Sequence, residues 1–148
     1  MLEIRKGEKK DLFAVLDLIK ELAEYEKALD QVENTVARME ADGFGEDPVY
    51  GFLICKENGK IIGTSIYYYR YSTWKGKRLY LEDLVVTESK RGVGAGKLLF
   101  EATLNIGKET NCSGMMWQVL DWNEPALNFY KNYDTRFEDK WINCNIDF

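Results

Sequence analysis

The chain contains no histidine. Any proton moved near neutral pH must therefore be handled by Glu, Asp, Lys, Tyr or Cys. A Ser-His-Asp triad, a Cys-His pair and a histidine-ligated zinc are all excluded. Within that restriction, "RLYLEDLVV" (78–86) is conspicuous because it places Glu82 and Asp83 inside an apolar, strand-like run. A carboxylate in a half-buried strand is costly unless it is partnered. Such a pair can hold a cation or accept a proton, or it can sit at a strand end or bulge and be satisfied by salt bridges. A period of two puts Tyr80, Glu82, Leu84 and Val86 on one face and Leu79, Leu81, Asp83 and Val85 on the other.

The second chemical feature follows directly. "ESKRGVGAGKLLFEA" (88–102) is a glycine-rich turn between an apolar run and a helix-like run. Turns of this kind bind phosphates, because backbone N–H groups and the helix N-terminus face the ligand. A nucleoside-triphosphate loop would need Gly at 91 and Ser or Thr at 98, where Arg91 and Leu98 stand. A dinucleotide fingerprint would need a third glycine at 97 or 99, where Lys97 and Leu99 stand. Both patterns fail, leaving another phosphate ligand or a loop with none.

A net charge of −5 argues against a nucleic-acid partner and tolerates cationic ones such as amines. The N-terminus has no apolar signal-peptide core, and no run approaches membrane-spanning length. Three widely spaced cysteines, Cys55, Cys112 and Cys144, read as reduced thiols, and a cytoplasmic location is expected.

The elements that must position these residues can be read from periodicity. A strand over 2–6 precedes a helix over 11–29, with apolar positions at Leu12, Val15, Leu16, Ile19, Leu22 and Ala23. A second helix is expected to stop at Gly43. Two strands flank Asn58-Gly59, a favoured tight-turn dipeptide. Strand 78–86, the glycine turn and a helix come next. A strand over 114–122, a short helix with Pro125 in its first turn, and a last strand over 140–148 complete a β-α-α-β-β-β-α-β-α-β order.

That order, with Arg91, Gly94 and Gly96 forming R-x-x-G-x-G at the central helix, resembles the GNAT superfamily of acetyl-CoA-dependent N-acetyltransferases. "IKELAEYEK" (19–27), "DGFGEDPVY" (42–50), "YYYRYSTWKGKRLYLEDLVV" (67–86), "RGVGAG" (91–96) and "LDWNEPALNFYK" (120–131) resemble the diamine acetyltransferase family. That family includes the spermidine/spermine and the thialysine N-acetyltransferases, and the resemblance runs over nearly the whole chain. It implies one α/β (α+β) domain over residues 1–148, with a mixed, mostly antiparallel sheet flanked by helices.

It also implies acetyl-CoA as co-substrate, no metal, a small-molecule amine substrate, no nucleic-acid or membrane partner, and a homodimer. The backbone of Leu84, Val85 and Val86 would pair with the pantetheine arm. Arg91, Gly92, Val93, Gly94, Ala95 and Gly96 would hold the pyrophosphate, and Asn123 and Tyr130 would also touch the cofactor. Glu82 becomes the general base and Tyr130 the acid that protonates the departing thiolate. Asp83, Glu26, Trp74 and Trp141 would line the amine channel. From the residues alone, Tyr130 reads equally as a core aromatic and Asn123 as a helix N-cap.

"YSTWKGK" (71–77) matches the thialysine branch, since the polyamine branch carries an acid where Ser72 stands. Thialysine-like aminoethyl compounds are the expected substrates. Polyamine acetylation and a non-catalytic CoA-binding module are the alternatives. Asp134 replaces a glycine usual near the end of the last helix. Asp enters the left-handed region more readily than most residues.

Overall fold

The computed structural model describes all 148 residues, Met1–Phe148, and they form two compact units, Met1–Gln118 and Val119–Phe148. The first holds strands β1 (Leu2–Lys6), β2 (Gly51–Glu57), β3 (Lys60–Ser72), β4 (Gly76–Val86) and β5 (Met115–Trp117). It also holds helices α1 (Leu12–Tyr25), α2 (Val36–Phe44) and α3 (Ala95–Glu109). The strands lie in sequence order in one sheet, antiparallel except for the β4–β5 pair. The expected mixed, mostly antiparallel architecture is what forms. No helix is long and apolar enough to cross a membrane.

The two sheet faces bury different helices. Leu12, Val15 and Leu16 of α1 and Met39 of α2 pack with Phe52, Ile54 and Ile66 on one side. Ala95 and Leu99 of α3 pack with Leu53, Cys55, Tyr67 and Leu79 on the other. Across that second layer the buried Ser65 and Thr103 hydroxyls share a 2.8 Å hydrogen bond, and Thr103 also donates to the Leu99 carbonyl. Asn58 (φ 51°) and Gly59 (φ 79°) make the β2–β3 turn, both in the left-handed region that a tight hairpin requires. Before α1, the buried Asp11 carboxylate accepts two Arg5 hydrogen bonds at 2.8 and 3.0 Å and one from the Glu8 N–H. Burial alone would raise the Asp11 carboxyl, but these bonds outweigh it and hold it below the usual range.

Five expectations need correction. Helix α1 stops at Tyr25 instead of running to residue 29, because Lys27 takes left-handed backbone (φ 62°) and a separate 3-10 turn follows over Leu29–Gln31. Helix α2 continues through Gly43 to Phe44. A Cβ on Gly43 would sit 2.5 Å from the Tyr50 ring, so the glycine serves a close approach there rather than a stop. The strand expected over 114–122 is only Met115–Trp117, because its ladder on β4 ends at the Leu81–Trp117 pair. The strict alternation along 78–86 is broken by a bulge described below. The strand expected over 140–148 does not form. Alternation supplies an apolar stripe but no hydrogen-bonding partner, and Ile142 and Ile146 remain 87% exposed.

The second unit contains helix α4 (Glu124–Tyr130). Asn123 caps it by accepting a hydrogen bond from the Ala126 N–H, and Pro125 lies in its first turn. Asp134 does not enter the left-handed region. Instead the Tyr130 carbonyl at the helix end accepts from the Tyr133 N–H and the Thr135 hydroxyl.

Candidate active site

Strand β4 positions the site through one irregularity. Ile66 pairs with Asp83 and the next residue, Tyr67, pairs with Leu81, so Glu82 is an extra residue with no partner on β3. A bulge of this kind re-aims the side chains that follow it. Leu84, paired with Ser65, and Val86, paired with Gly63, join Leu79 and Leu81 on the α3 face. Asp83, opposite Ile66, and Val85, opposite Thr64, turn to the face covered by α1. Tyr80, opposite Tyr68, shares that face, three residues from Asp83 rather than two or four.

The result is a group of three carboxyls. Asp83 is pushed up to about 7, first by burial and then by the charges of Glu82 and Glu26. Glu26, just past the end of α1, is itself raised by burial. None of the three takes part in an ion pair within 4.0 Å. Carboxyls whose charges reach one another without a cation favour a proton or a cationic ligand among them. Beside them the Tyr68 and Tyr80 rings meet in a tilted contact, with centroids 5.1 Å apart and planes inclined by 31°. Burial raises both hydroxyls, and the adjacent Glu82 charge raises them further.

Beyond the bulge, β4 from Glu82 to Val86 has no β5 partner on its outer edge, since the β5 ladder stops at Leu81. The strand then feeds the glycine turn. Glu21 of α1 fastens the junction by accepting hydrogen bonds from the Thr87 hydroxyl and the Glu88 N–H. Lys90 pairs with Glu57 on β2. Gly92 (φ 84°) and Gly94 (φ 93°) adopt left-handed backbone, and no side chain caps the start of α3. The first N–H groups of a helix have no internal acceptor, so this end is suited to an anion. The turn from Arg91 to Gly94 is exposed, with Ala95 buried and Gly96 half-buried. Arg91 donates from Nε to the Val86 carbonyl, and its guanidinium lies over the Tyr25 ring, 5.4 Å from the centroid.

The structure thus sets Glu82 and Asp83 side by side at the bulge, with the Glu26 charge reaching Asp83, and continues β4 into the glycine turn. It does not bring Ser72 and Trp74 to them. Ser72 lies six residues from Ile66 along β3, roughly 20 Å at strand rise. Its hydroxyl accepts hydrogen bonds from the Trp74 and Lys75 N–H groups in the β3–β4 turn, and Trp74 is exposed. Of the residues expected in the second unit, Asn123 is a cap and Tyr130 is buried at the end of α4, edge-on to Phe129. Trp141 is exposed. A separate cleft of about 160 Å³, lined in part by Lys6, Tyr50, Phe52 and Tyr67, contains none of the candidate residues. Sequence reading missed Glu21, whose anchoring role carries no local motif. It also missed the Tyr68–Tyr80 contact, which depends on register.

Residues 14–133 match the model of the acetyltransferase (GNAT) family. The chain is 39% identical over 136 residues to the thialysine N-epsilon-acetyltransferase of Bos taurus, covering 86% of this chain and 80% of the relative. It is 38% identical over 149 residues to the spermidine/spermine N(1)-acetyltransferase-like protein 1 of Homo sapiens, covering 94% of this chain and 21% of that protein. A possible acetyltransferase from Clostridium difficile 630 superposes with a TM-score of 0.81 at 21% identity, over 100% of this chain and 99% of that one, a likeness of fold.

Proposed function

Because the chain belongs to the GNAT acetyltransferase family, an amine N-acetyltransferase family that uses acetyl-CoA, we propose that its carboxyl group binds and deprotonates a thialysine-like primary amine. The observation that carries this reading is the placing of Glu82 and Asp83 at the β4 bulge, with the Glu26 charge reaching Asp83, beside the unpaired strand edge that leads to the glycine turn. A primary alkylamine near pKa 10.4 arrives as an ammonium, and only its neutral form is a nucleophile. Glu26 and Asp83 hold the cation. Glu82, exposed and without a strand partner, takes the proton.

The amine nitrogen then bonds to the acetyl carbon, and the carbon–sulfur bond breaks with its electron pair leaving on the thiolate. Tyr130 gives that thiolate a proton, and the second proton shed by the newly acylated nitrogen returns to the Tyr130 oxygen. Backbone groups of Leu84, Val85 and Val86 align the pantetheine arm and polarise the thioester carbonyl. The N–H groups of Gly92 to Gly96, with Arg91, hold the pyrophosphate. Asn123 orients the same cofactor, and Trp141 offers an aromatic face to the amine. The whole chain acts as one catalytic domain, as a homodimer in the cytoplasm.

Substrate choice is tested at Ser72. Both Ser and Asp can accept the two turn N–H groups, so Ser72→Asp preserves the turn. The reading expects kcat/KM higher for thialysine than for spermidine, and a shift toward spermidine in Ser72→Asp. A preference of the unsubstituted protein for spermidine assigns it to polyamines instead.

A further inference from the structure

The carboxyl group is one end of a longer polar strip on the same sheet face. Continuing along the β3–β4 ladder away from Asp83, the pairs are Tyr68–Tyr80 and then Arg70–Arg78. Two arginines directly opposite one another repel, and a sheet gains nothing from that placement. Neither guanidinium is offset by a carboxylate within 4.0 Å. Each is instead held by neutral groups near β5. Arg70 donates from Nη1 to the Met116 sulfur. Arg78 donates from Nη1 to the Ser113 hydroxyl and lies so close to Gly114 that a Cβ there would stand 2.8 Å from it. The Arg70 charge reaches the tyrosine pair, where it opposes the rise of both hydroxyls.

The strip is therefore bipolar, with carboxyls at one end, two phenols in tilted contact in the middle and two positioned guanidiniums at the other. Asp83 and Arg70 are four ladder steps apart, roughly 13 Å along the backbone, and the long arginine side chains shorten that span. A plain diamine would meet repulsion at the arginine end. A molecule with an amine at one end and an anion at the other matches both ends. We infer that Arg70 and Arg78 together bind the carboxylate of the substrate, so that the enzyme selects amines of the ω-amino-acid type over diamines. The inference rests on the acetyltransferase reading and assigns two residues to specificity within it. Two guanidiniums present several N–H donors in fixed forks, which suits a carboxylate.

The test compares three acceptors with one reacting end: thialysine, its carboxamide, and bis(2-aminoethyl) sulfide, which lacks the carboxylate. The unsubstituted protein is expected to favour the acid over the carboxamide by about tenfold or more in kcat/KM. In the Arg70→Gln/Arg78→Gln double variant that ratio falls toward one, chiefly through a rise in KM with kcat retained. In the same variant kcat/KM for the diamine rises, because a repelling charge is removed, which also shows that the variant is folded. Arg70→Lys restores part of the acid preference. Equal use of acid and carboxamide by the unsubstituted protein, or full preference in the double variant, overturns this inference and leaves the acetyltransferase reading standing. No transfer to any of the three overturns the reading beneath it, and the inference with it.

Discussion

Leu81 and Asp83 stand two apart on β4, yet they pair with Tyr67 and Ile66, which are consecutive on β3. That mismatch leaves Glu82 without a partner and turns Asp83 to the α1 face. It also coincides with the end of the β5 ladder at Trp117. One extra residue thus exposes a carboxylate, half-buries its neighbour and frees a strand edge.

Glu82→Gln tests the base. The side chain is exposed and in no ion pair, so the melting temperature should change little. The turnover number should fall by about 10²-fold or more, with loss of the limb of the pH profile that reports amine deprotonation. An unchanged profile in steady-state assays across pH would remove Glu82 from that role.

Asp83 gives a pH dependence of stability with a definite sign. Its carboxyl is raised from an ordinary 3.8 to about 7 in the fold. Between those values the folded chain binds more protons than the unfolded one, so stability contributed here is present below about pH 4 and lost as pH rises through about 7. Asp83→Asn should therefore melt higher than the unsubstituted protein above pH 7, and the gain should vanish near pH 4. Calorimetry of the ligand-free protein at both pH values measures this, and an equal difference at each would contradict it.

Gly94 begins α3 with φ 93° and has open space where a Cβ would stand. Gly94→Ala therefore costs backbone strain alone, about 1–2 kcal/mol. The reading expects the variant to lose most of the rise in melting temperature that CoA gives the unsubstituted protein. Arg91→Ala should weaken the same response, and ATP-Mg should produce none. Stabilisation by ATP-Mg would point to a different phosphate ligand.

Much of this was legible in the sequence because its signals were local. Asn58-Gly59 fixed a hairpin through two positive φ values, and Leu12, Val15 and Leu16 fixed the buried side of α1. The glycine turn likewise sits where its pattern put it. What alternation misjudged was long-range. The bulge at Glu82 is a matter of register with β3, so strict periodicity assigned Asp83, Leu84, Val85 and Val86 to faces they could share only in an unbroken ladder. The 140–148 segment has a strand's pattern without a ladder. Gly43 read as a stop, yet it is the contact surface for Tyr50. The arginine pair was invisible for the same reason as the bulge, since Arg70 and Arg78 face each other only once the hairpin is in register.

The most direct measurement is release of CoA thiol when the purified chain is given acetyl-CoA and thialysine. The account predicts one thiol released per N-acetyl group formed, with Tyr130→Phe lowering kcat by about 10²–10⁴-fold at retained CoA affinity. CoA binding without thiol release, across thialysine, its carboxamide, the matching diamine and spermidine, would contradict it and leave a CoA-binding module on an acetyltransferase fold.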